Sequence, residues 1–413
     1  MGFGCNRAGH TRVKSSSPPT GYANSNDSLE PVFTPMRKLY LSALPLVLLF
    51  APFYVRLLTP STRVATEAAA ELVSAAERAD VEFGQKMRAR IENAKQSLAG
   101  SPLVAQDVVT LAVEDAAARL HLVNLPKEIF LKAGSQVELP SSLGVPLTVE
   151  VVRPNYVNTA VRVIDAAGQE LAPLVVKYPL EKGGKLKELA YYTSAHPSVS
   201  TPALTREGRR YVREQLNAAA ASLAADGIHI EPALIDAAER LCFVEHVDHG
   251  RFKRESRPEL LDEIGALYAL NAGDTYRYSV SSAGAGGMVQ MIPPTYRAIR
   301  EQFPRARLHA DFVEGMRDHA NATRAMLLYM KDTWDFLSRQ DEVEAALSTD
   351  IATQPDLLAA GYNSNPRKLP GYIARGGSAW RTLIPEETKM YLQIYAAVEA
   401  HIPFETRAAR VGE

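Results

Sequence analysis

The run Ser281–Thr295 constrains the fold of this chain more than any other stretch. It reads SSAGAGGMVQMIPPT, with only small residues from Ala283 to Gly287. The start contains too much glycine for a regular element, whereas the segment from Pro293 onward can begin a helix. A backbone without large side chains can approach a ligand or another backbone closely. We therefore predict a loop before a helix, which either serves packing alone or lines a binding site with the polar side chains of Ser281 and Gln290.

Length and composition set broad bounds on the protein. The chain has 413 residues, of which 46% are hydrophobic and 23% charged, which predicts two or three globular domains. The net charge of −1 argues against a nucleic-acid partner. The two cysteines, Cys5 and Cys242, fall on opposite sides of a predicted membrane segment, so we expect no disulfide.

The N-terminal region is predicted to anchor the chain in a membrane. Residues 1–37 are polar and predict a disordered cytoplasmic tail, and residues 38–58 predict a transmembrane signal anchor. Leu39–Val55 carries no charge and basic residues precede it, so the positive-inside rule places the bulk of the chain outside the cytoplasm. No small-residue cleavage site follows closely, which favours an uncleaved anchor over a cleaved signal peptide. Met36 is an alternative start.

Three segments of different periodicity follow the anchor. Residues 59–122 predict a helical stalk or hairpin, built from one long amphipathic helix over 64–99 and a second over about 104–120. Residues 123–200 alternate or run β-branched between turn signals, which predicts a small antiparallel β-module. Residues 201–228 are alanine-rich and predict a connecting helix.

Four motifs occur in a fixed order in the remaining chain. A helix that ends in Glu245 precedes the run S-x-A-G-A-x-G-x-x-Q-x-x-P-x-T from Ser281, then A-x-Y-N-x-x-P from Ala360 and P-x-E-T-x-x-Y from Pro385. In this order the motifs resemble the soluble lytic transglycosylase (SLT) family. Its members are goose-lysozyme-like enzymes that cleave the glycan of bacterial peptidoglycan.

This resemblance covers roughly residues 229–400 and leaves 401–413 as a C-terminal tail. It implies an α-helical lysozyme-like catalytic domain, so the predicted fold class is α+β, with the anchor, the helical hairpin and the β-module before that domain. Together with the predicted anchor and its orientation, it implies a bacterial inner-membrane protein whose catalytic domain faces the periplasm. The implied partners are peptidoglycan glycan strands and the inner membrane, with an envelope or secretion-machine protein as a further candidate. No cofactor is expected.

The helix predicted over Pro232–His246 carries a carboxylate on its apolar face. Leu234, Ala238, Leu241 and Glu245 recur at helical spacing on that face. Burial penalises the charged form of a carboxyl group, so we expect a raised pKa for Glu245, which a general acid needs. The alternative is a glutamate at a helix end that simply reaches solvent.

In the resembled family a single glutamate does the chemistry. It protonates the oxygen between N-acetylmuramic acid and N-acetylglucosamine, then takes the proton of the muramoyl C6 hydroxyl, which attacks C1 and leaves a 1,6-anhydromuramoyl end. The match assigns this role to Glu245. Asp248 and Asp274 lie nearby in the sequence, so a hydrolytic outcome stays open. The matched substrate-binding positions are Ser281, Gln290, Tyr362, Asn363 and Glu387.

The chain departs from the family pattern between the first two motifs. His246 stands where the family usually has serine, and a long segment, roughly 250–275, separates Glu245 from the second motif. We expect this insert to form a flap over the cleft. Its glutamates are alternative acids, namely Glu255, Glu259 and Glu263.

Two further alternatives concern the chemistry. The run Glu245–His249 contains H-x-x-H, but its spacing matches neither an HExxH helix nor a CxxC site, so no metal is expected. The rivals to a lytic transglycosylase are a muramidase of the same fold and a non-catalytic peptidoglycan-binding or envelope-assembly module.

Overall fold

A computed structural model describes residues 59–408, with side chains described from residue 75 onward. The tail predicted over 1–37 and the anchor predicted over 38–58 lie outside the described residues. Among the helices of the described part, none is both long and apolar enough to cross a membrane. Of the described residues, 68–408 belong to one compact unit.

The described chain mixes helices with one antiparallel sheet, so its class is α+β. The strands are β1 Val108–Glu114, β2 Leu120–Pro126, β3 Gln136–Pro140, β4 Pro146–Arg153, β5 Ala160–Asp165, β6 Glu170–Lys182 and β7 Lys185–Tyr192. The helices are α1 Thr59–Gly100, α2 Lys127–Phe130, α3 Pro202–Ala225, α4 Pro232–Val244, α5 His249–Arg254, α6 Arg257–Asn271, α7 Pro293–Gln302, α8 Phe312–Arg317, α9 His319–Leu337, α10 Asp341–Ser348, α11 Gln354–Asn363, α12 Leu369–Gly376 and α13 Glu386–His401.

Helix α1 packs on the sheet through its C-terminal half. Met87, Ile91, Ala94 and Leu98 are buried at steps of three and four residues, which is one face of a helix. The buried amine of Lys177 on β6 donates hydrogen bonds to the Leu98 and Ser101 carbonyls, at 2.9 and 2.7 Å. These bonds fasten the C-terminal end of α1 to the middle of the sheet.

The helix predicted over 104–120 is wrong. The segment VVTLAVE forms β1 instead, paired antiparallel with β2 on one side and β6 on the other. Four of its seven residues are β-branched, and every residue from Val109 to Glu114 is buried in the sheet. β-branched side chains suit a pleated, buried surface better than a helix, and the pairing partners decide such a short apolar run.

The sheet has the strand order β2-β1-β6-β5-β4-β3, and β7 pairs with β6 outside that path. All of these pairings are antiparallel, as predicted for the β-module. The module begins at β1, earlier than the sequence pattern indicated. Its longest strand, β6, pairs with β1, β5 and β7 along successive parts of its length.

The insert at 250–275 is a packed element, and its prediction as a flap is wrong. Helix α6 lies against α3 so closely that a Cβ on Gly208 would stand 1.8 Å from the Gly265 carbonyl oxygen. Tyr268 is fully buried and its hydroxyl donates to the Cys242 carbonyl at 2.8 Å. Leu267 packs into the core of the β-module. Helix α6 therefore joins the helical part of the chain to the sheet.

The C-terminal residues up to 408 dock against α4. Phe404 packs edge-on against Phe243, at 6.1 Å between ring centroids. Arg407 pairs with two buried carboxylates of α4, Asp236 and Glu239. The segment interpreted from sequence as a tail thus fixes the helix that leads to Glu245.

Candidate functional site

A cleft of about 1090 Å³ lies between the β-module and the helices. The helical side contributes Glu245, which immediately follows α4, and the glycine-rich loop, of which Gly284, Gly286 and Gln290 line the cavity. The β-module contributes the β4–β5 connection from Arg153 to Asn158 and the end of β6. Both parts of the fold therefore form one cavity.

Glu245 is partly buried at this cavity, and its carboxylate contacts a tyrosine hydroxyl. Tyr391 Oη of α13 donates to Glu245 Oε1 at 2.5 Å. Burial raises the pKa of Glu245 to about 8, the Tyr391 hydrogen bond opposes this rise, and the charge of Glu387 adds to it. The expected raised pKa thus agrees with the geometry, because a carboxyl group with this pKa carries its proton at neutral pH.

Tyr391 is a candidate functional residue that was not selected from the sequence. It ends the P-x-E-T-x-x-Y motif, from which only Glu387 was selected. The signal was available, since Tyr391 lies four residues after Glu387 and so on the same face of α13. Its side chain is buried, and its hydroxyl reaches Glu245 across 146 residues of sequence.

If Glu245 acts as a general acid, catalysis should fail as the pH rises through its pKa. The pKa of Glu245 is about 8, so the protonated form is lost above that pH, and kcat/KM for glycan cleavage is expected to fall there. Initial rates of murein solubilisation from mildly acidic to alkaline pH measure this limb. An alkaline limb near the ordinary pKa of a glutamate contradicts the assignment.

Tyr391→Phe is expected to slow cleavage roughly tenfold to a hundredfold, since a hydrogen bond to a charged group contributes about 1.5–3 kcal/mol. The same change should move the alkaline limb to higher pH, because the Tyr391 hydroxyl holds the pKa of Glu245 down. Tyr395→Phe is the matched control, since this buried hydroxyl on the same helix has no hydrogen-bond partner in the described chain. Equal rates and equal limbs in both variants would show that the Tyr391 hydroxyl does not act on Glu245.

The glycine-rich loop is a tight turn, and two of its predicted polar side chains hold its shape. Ser281 Oγ accepts the Ala285 amide at 3.1 Å, and Gln290 Nε2 donates to the Gly287 carbonyl at 2.8 Å. Gly287 has φ +69°, and a Cβ there would lie 2.2 Å from the Met316 carbonyl oxygen. The close backbone approach predicted for this loop is therefore to α8. Gln290 lines the cavity as well, whereas Ser281 does not belong to its lining.

The other predicted binding residues, Tyr362, Asn363 and Glu387, do not belong to the cavity lining. Tyr362 Oη donates to the Val289 carbonyl at 2.6 Å, and Asn363 Oδ1 accepts from Thr388 Oγ1 at 2.8 Å. These bonds join α11 to the glycine-rich loop and to α13. Glu387 is exposed and acts on Glu245 through its charge. In this structure Tyr362 and Asn363 position the loop and the helices around Glu245.

The alternative acids of the insert do not fit an acid's role. Burial alone raises the pKa of Glu263, but ion pairs with Arg251 and Arg153 outweigh it and hold the pKa below its usual value. Glu255 pairs with Arg251 at 2.8 Å and is exposed, and Glu259 is also exposed. The pKa of Glu263 is thus shifted in the direction opposite to that of Glu245.

His246 lines the cavity next to Glu245, and its ring packs against its neighbours. Its ring stacks on Tyr276, at 3.3 Å between centroids, and its Nε2 atom lies 2.9 Å from the Met288 carbonyl oxygen. Burial lowers the pKa of His246 to about 3, so the ring is neutral and Nε2–H donates to that carbonyl. In the described part of the chain, no group of three or more His, Cys, Asp and Glu side chains is placed to hold a metal ion.

Comparisons with models of protein families, with curated proteins and with solved structures gave no match to this chain. The resemblance to the SLT family therefore depends on its four ordered motifs.

Proposed function

We propose that this chain is a murein lytic transglycosylase in which Glu245 is the single acid and base. The observation that carries the proposal is a carboxyl group kept protonated near neutral pH by burial, on the wall of a large cleft. Small-molecule pockets occupy about 300–1,000 Å³, so a cleft of about 1090 Å³ suits an extended ligand such as a glycan strand. The proposed domain is lysozyme-like and α-helical, with the SLT motifs around its cleft.

The proposed proton movements are those that the resemblance to the SLT family implies for Glu245. Its carboxyl O–H donates to the oxygen that links N-acetylmuramic acid C1 to N-acetylglucosamine, and the C1–O bond breaks as that oxygen leaves as a hydroxyl. The carboxylate so formed accepts a hydrogen bond from Tyr391, which stabilises the charge. It then takes the proton of the muramoyl C6 hydroxyl as the C6 oxygen bonds to C1. Glu245 is protonated again, and no water is consumed.

The surroundings favour a single-carboxylate mechanism over one with two. The other carboxylates of the cavity lining are engaged: Glu263 by Arg153 and Arg251, Glu188 by Arg317, and Glu181 by Lys127. Asp248 caps α5 by accepting the Arg251 amide at 2.7 Å. Asp248 still lines the same cavity, and this observation keeps a muramidase as the second candidate, in which Asp248 would activate a water molecule.

Product chemistry tests the proposal directly. The full chain is incubated with purified peptidoglycan and the new glycan ends are identified by mass. A lytic transglycosylase leaves 1,6-anhydromuramoyl ends, and a muramidase leaves reducing ends that are one water heavier. A well-folded chain that binds murein and yields neither product would instead support the non-catalytic module.

The proposed location is the periplasmic face of a bacterial inner membrane, where murein is accessible. It depends on the anchor predicted over 38–58. The glycan strands are the proposed substrate partner, and an envelope or secretion-machine protein is a further proposed partner.

A further inference from the structure

The hairpin between β6 and β7 brings two lysines to the cleft. Its turn consists of Gly183 and Gly184, whose φ angles are +62° and +74°, as tight two-residue hairpin turns require. Lys182 and Lys187, on either side of this turn, are exposed and line the same cavity as Glu245. The pairing of the two strands contains a bulge, of which Lys187 is the extra residue. The tight turn and the bulge therefore fix where the two lysines stand.

The ammonium groups of these two lysines are unpaired. Neither forms an ion pair or a side-chain hydrogen bond with another residue of the described part of the chain. The carboxylates of the same hairpin are already engaged, since Glu181 pairs with Lys127 at 2.7 Å and Glu188 with Arg317 at 3.3 Å. This end of the cavity therefore carries uncompensated positive charge.

The charge of the whole cavity lining is also positive. Burial keeps Glu245 protonated near neutral pH, and the lining otherwise holds four carboxylates against six lysine and arginine side chains. The full chain, by contrast, has a net charge of −1. A cleft whose walls carry an excess of one charge attracts ligands of the opposite charge. An anionic ligand is therefore favoured in this cavity.

An apolar side chain lies close to the two lysines. The pKa of Asp311 is below its usual value because its carboxylate accepts the Glu314 amide, and the charges of both lysines add to this effect. The lysines therefore lie near the start of α8. There Val313 is 50% exposed and lines the same cavity. A ligand with both carboxylates and small apolar groups fits this part of the wall.

We propose that the β6–β7 hairpin is a subsite for the stem peptides of murein, where Lys182 and Lys187 pair with peptide carboxylates beside Val313. This inference rests on the proposed function for the identity of the strand. In murein the N-acetylated sugars are neutral, and the negative charge lies on the carboxylates of short, alanine-containing peptides attached to muramic acid. The subsite therefore selects strands that still carry their peptides.

The test measures ligand binding to the full chain carrying Glu245→Gln, which prevents turnover and serves as the reference. The two ligands are a murein tetrasaccharide with its stem peptides and the same compound with every carboxylate converted to an amide. The reference should bind the anionic form more tightly, and added salt should reduce this preference because it screens exposed charges. Lys182→Gln with Lys187→Gln should weaken binding of the anionic form roughly twofold to thirtyfold, the usual contribution of two exposed ion pairs. Affinity for the amidated form should stay unchanged.

Lys185→Gln is the matched control. Lys185 is exposed on the same hairpin and pairs with Lys182 in the strand register, but it does not belong to the cavity lining. Its removal should leave both affinities as in the reference. Lys182→Arg with Lys187→Arg keeps both charges and should keep the preference for the anionic form. Thermal unfolding checks each variant, and if the double glutamine variant fails to fold, the two single glutamine changes decide the question.

Several outcomes overturn the subsite. Equal affinity of the reference for the two ligands does so, as does reference-like binding by the double glutamine variant. A loss of the same size in Lys185→Gln would mean that the general charge of the hairpin, and not the cavity wall, attracts the ligand.

A third ligand identifies the source of the carboxylate. The tetrasaccharide without its peptides keeps the lactyl carboxylates of muramic acid, and we expect the reference to bind it more weakly than the peptide-bearing form. If it binds as tightly and loses the same factor in the double glutamine variant, the lysines recognise the lactyl group and the peptide assignment is wrong.

Murein digestion with Glu245 intact separates this inference from the proposed function. A chain that digests murein but binds the anionic and amidated ligands equally sinks this inference alone. A folded chain that digests nothing sinks the proposed function.

Discussion

The Glu245→Gln variant is expected to digest murein at a rate roughly 10²–10⁴-fold below that of the parent, the usual contribution of general acid–base catalysis. Glutamine keeps the size and most of the hydrogen-bonding geometry of glutamate but cannot give or take the proton. The Tyr391 hydroxyl can still donate to the amide oxygen, so the cleft should keep its shape and bind glycan. Solubilisation of labelled murein by equal amounts of folded protein measures the effect.

Glu259→Gln is the matched control for this change. Glu259 is exposed on the insert that precedes the second motif, and it was one of the alternative acids. The Glu259→Gln variant should digest murein at the same rate as the parent. If Glu259→Gln loses activity while Glu245→Gln keeps it, the acid has been assigned to the wrong residue.

The stability of Glu245→Gln should also differ from that of the parent in a pH-dependent way. The pKa of Glu245 is about 8 in the folded state, above the ordinary value of 4.5. The contribution of this side chain to the free energy of unfolding is therefore complete below about pH 4.5 and is lost as the pH rises through 8. The glutamine amide of the variant never becomes charged, so the variant loses no stability at this position over the same pH range. The melting temperature of the variant relative to the parent should therefore increase from mildly acidic pH to pH 8. A constant difference would mean that burial does not act on this carboxyl group.

Arg407→Ala is expected to lower the free energy of unfolding by about 3–5 kcal/mol, the cost of leaving buried charges without their partner. Arg407 donates to Asp236 through its side chain at 2.7 Å and through its backbone amide at 3.1 Å, and it also pairs with Glu239. Asp236 is 8% exposed and Glu239 is 4% exposed. Without Arg407, Glu239 keeps only Arg213, at 3.1 Å, and Asp236 loses its ion pair.

Urea unfolding followed by circular dichroism measures this loss, with Arg210→Ala as the matched control. Arg210 is 64% exposed and pairs with Glu214 and Glu207 on the surface of α3, so its removal should cost less than about 1 kcal/mol. Adding Asp236→Asn and Glu239→Gln to Arg407→Ala should restore part of the lost stability, because no uncompensated charge is then buried. A loss in Arg407→Ala no larger than in Arg210→Ala would show that residues 402–407 do not hold α4 in place.

Much of the secondary structure could be predicted from the sequence because its signals are local. The apolar spacing of Met87 to Leu98 indicates the buried face of α1, and Pro232 begins α4 as the helix signals suggest. The β1 segment was predicted wrongly, because a short run of six apolar or β-branched residues, Val108 to Val113, suits either a helix or a strand until its neighbours are known. Pairing with β2 and β6 decides it, and these strands lie at different distances along the chain.

The sequence by itself determined the order of the motifs, the carboxylate that ends an apolar helix and the tight loop at Gly284–Gly287. Only the tertiary structure decided what surrounds them. In the folded chain the Tyr391 hydroxyl contacts Glu245, and α6, which was expected to be a flap, packs between the helices and the sheet. Asn158 of the β-module lines the same cavity as Glu245. The physical reason is that periodicity and spacing describe one element at a time. The burial and the hydrogen bond that set the proton affinity of Glu245 come from groups far away in the sequence.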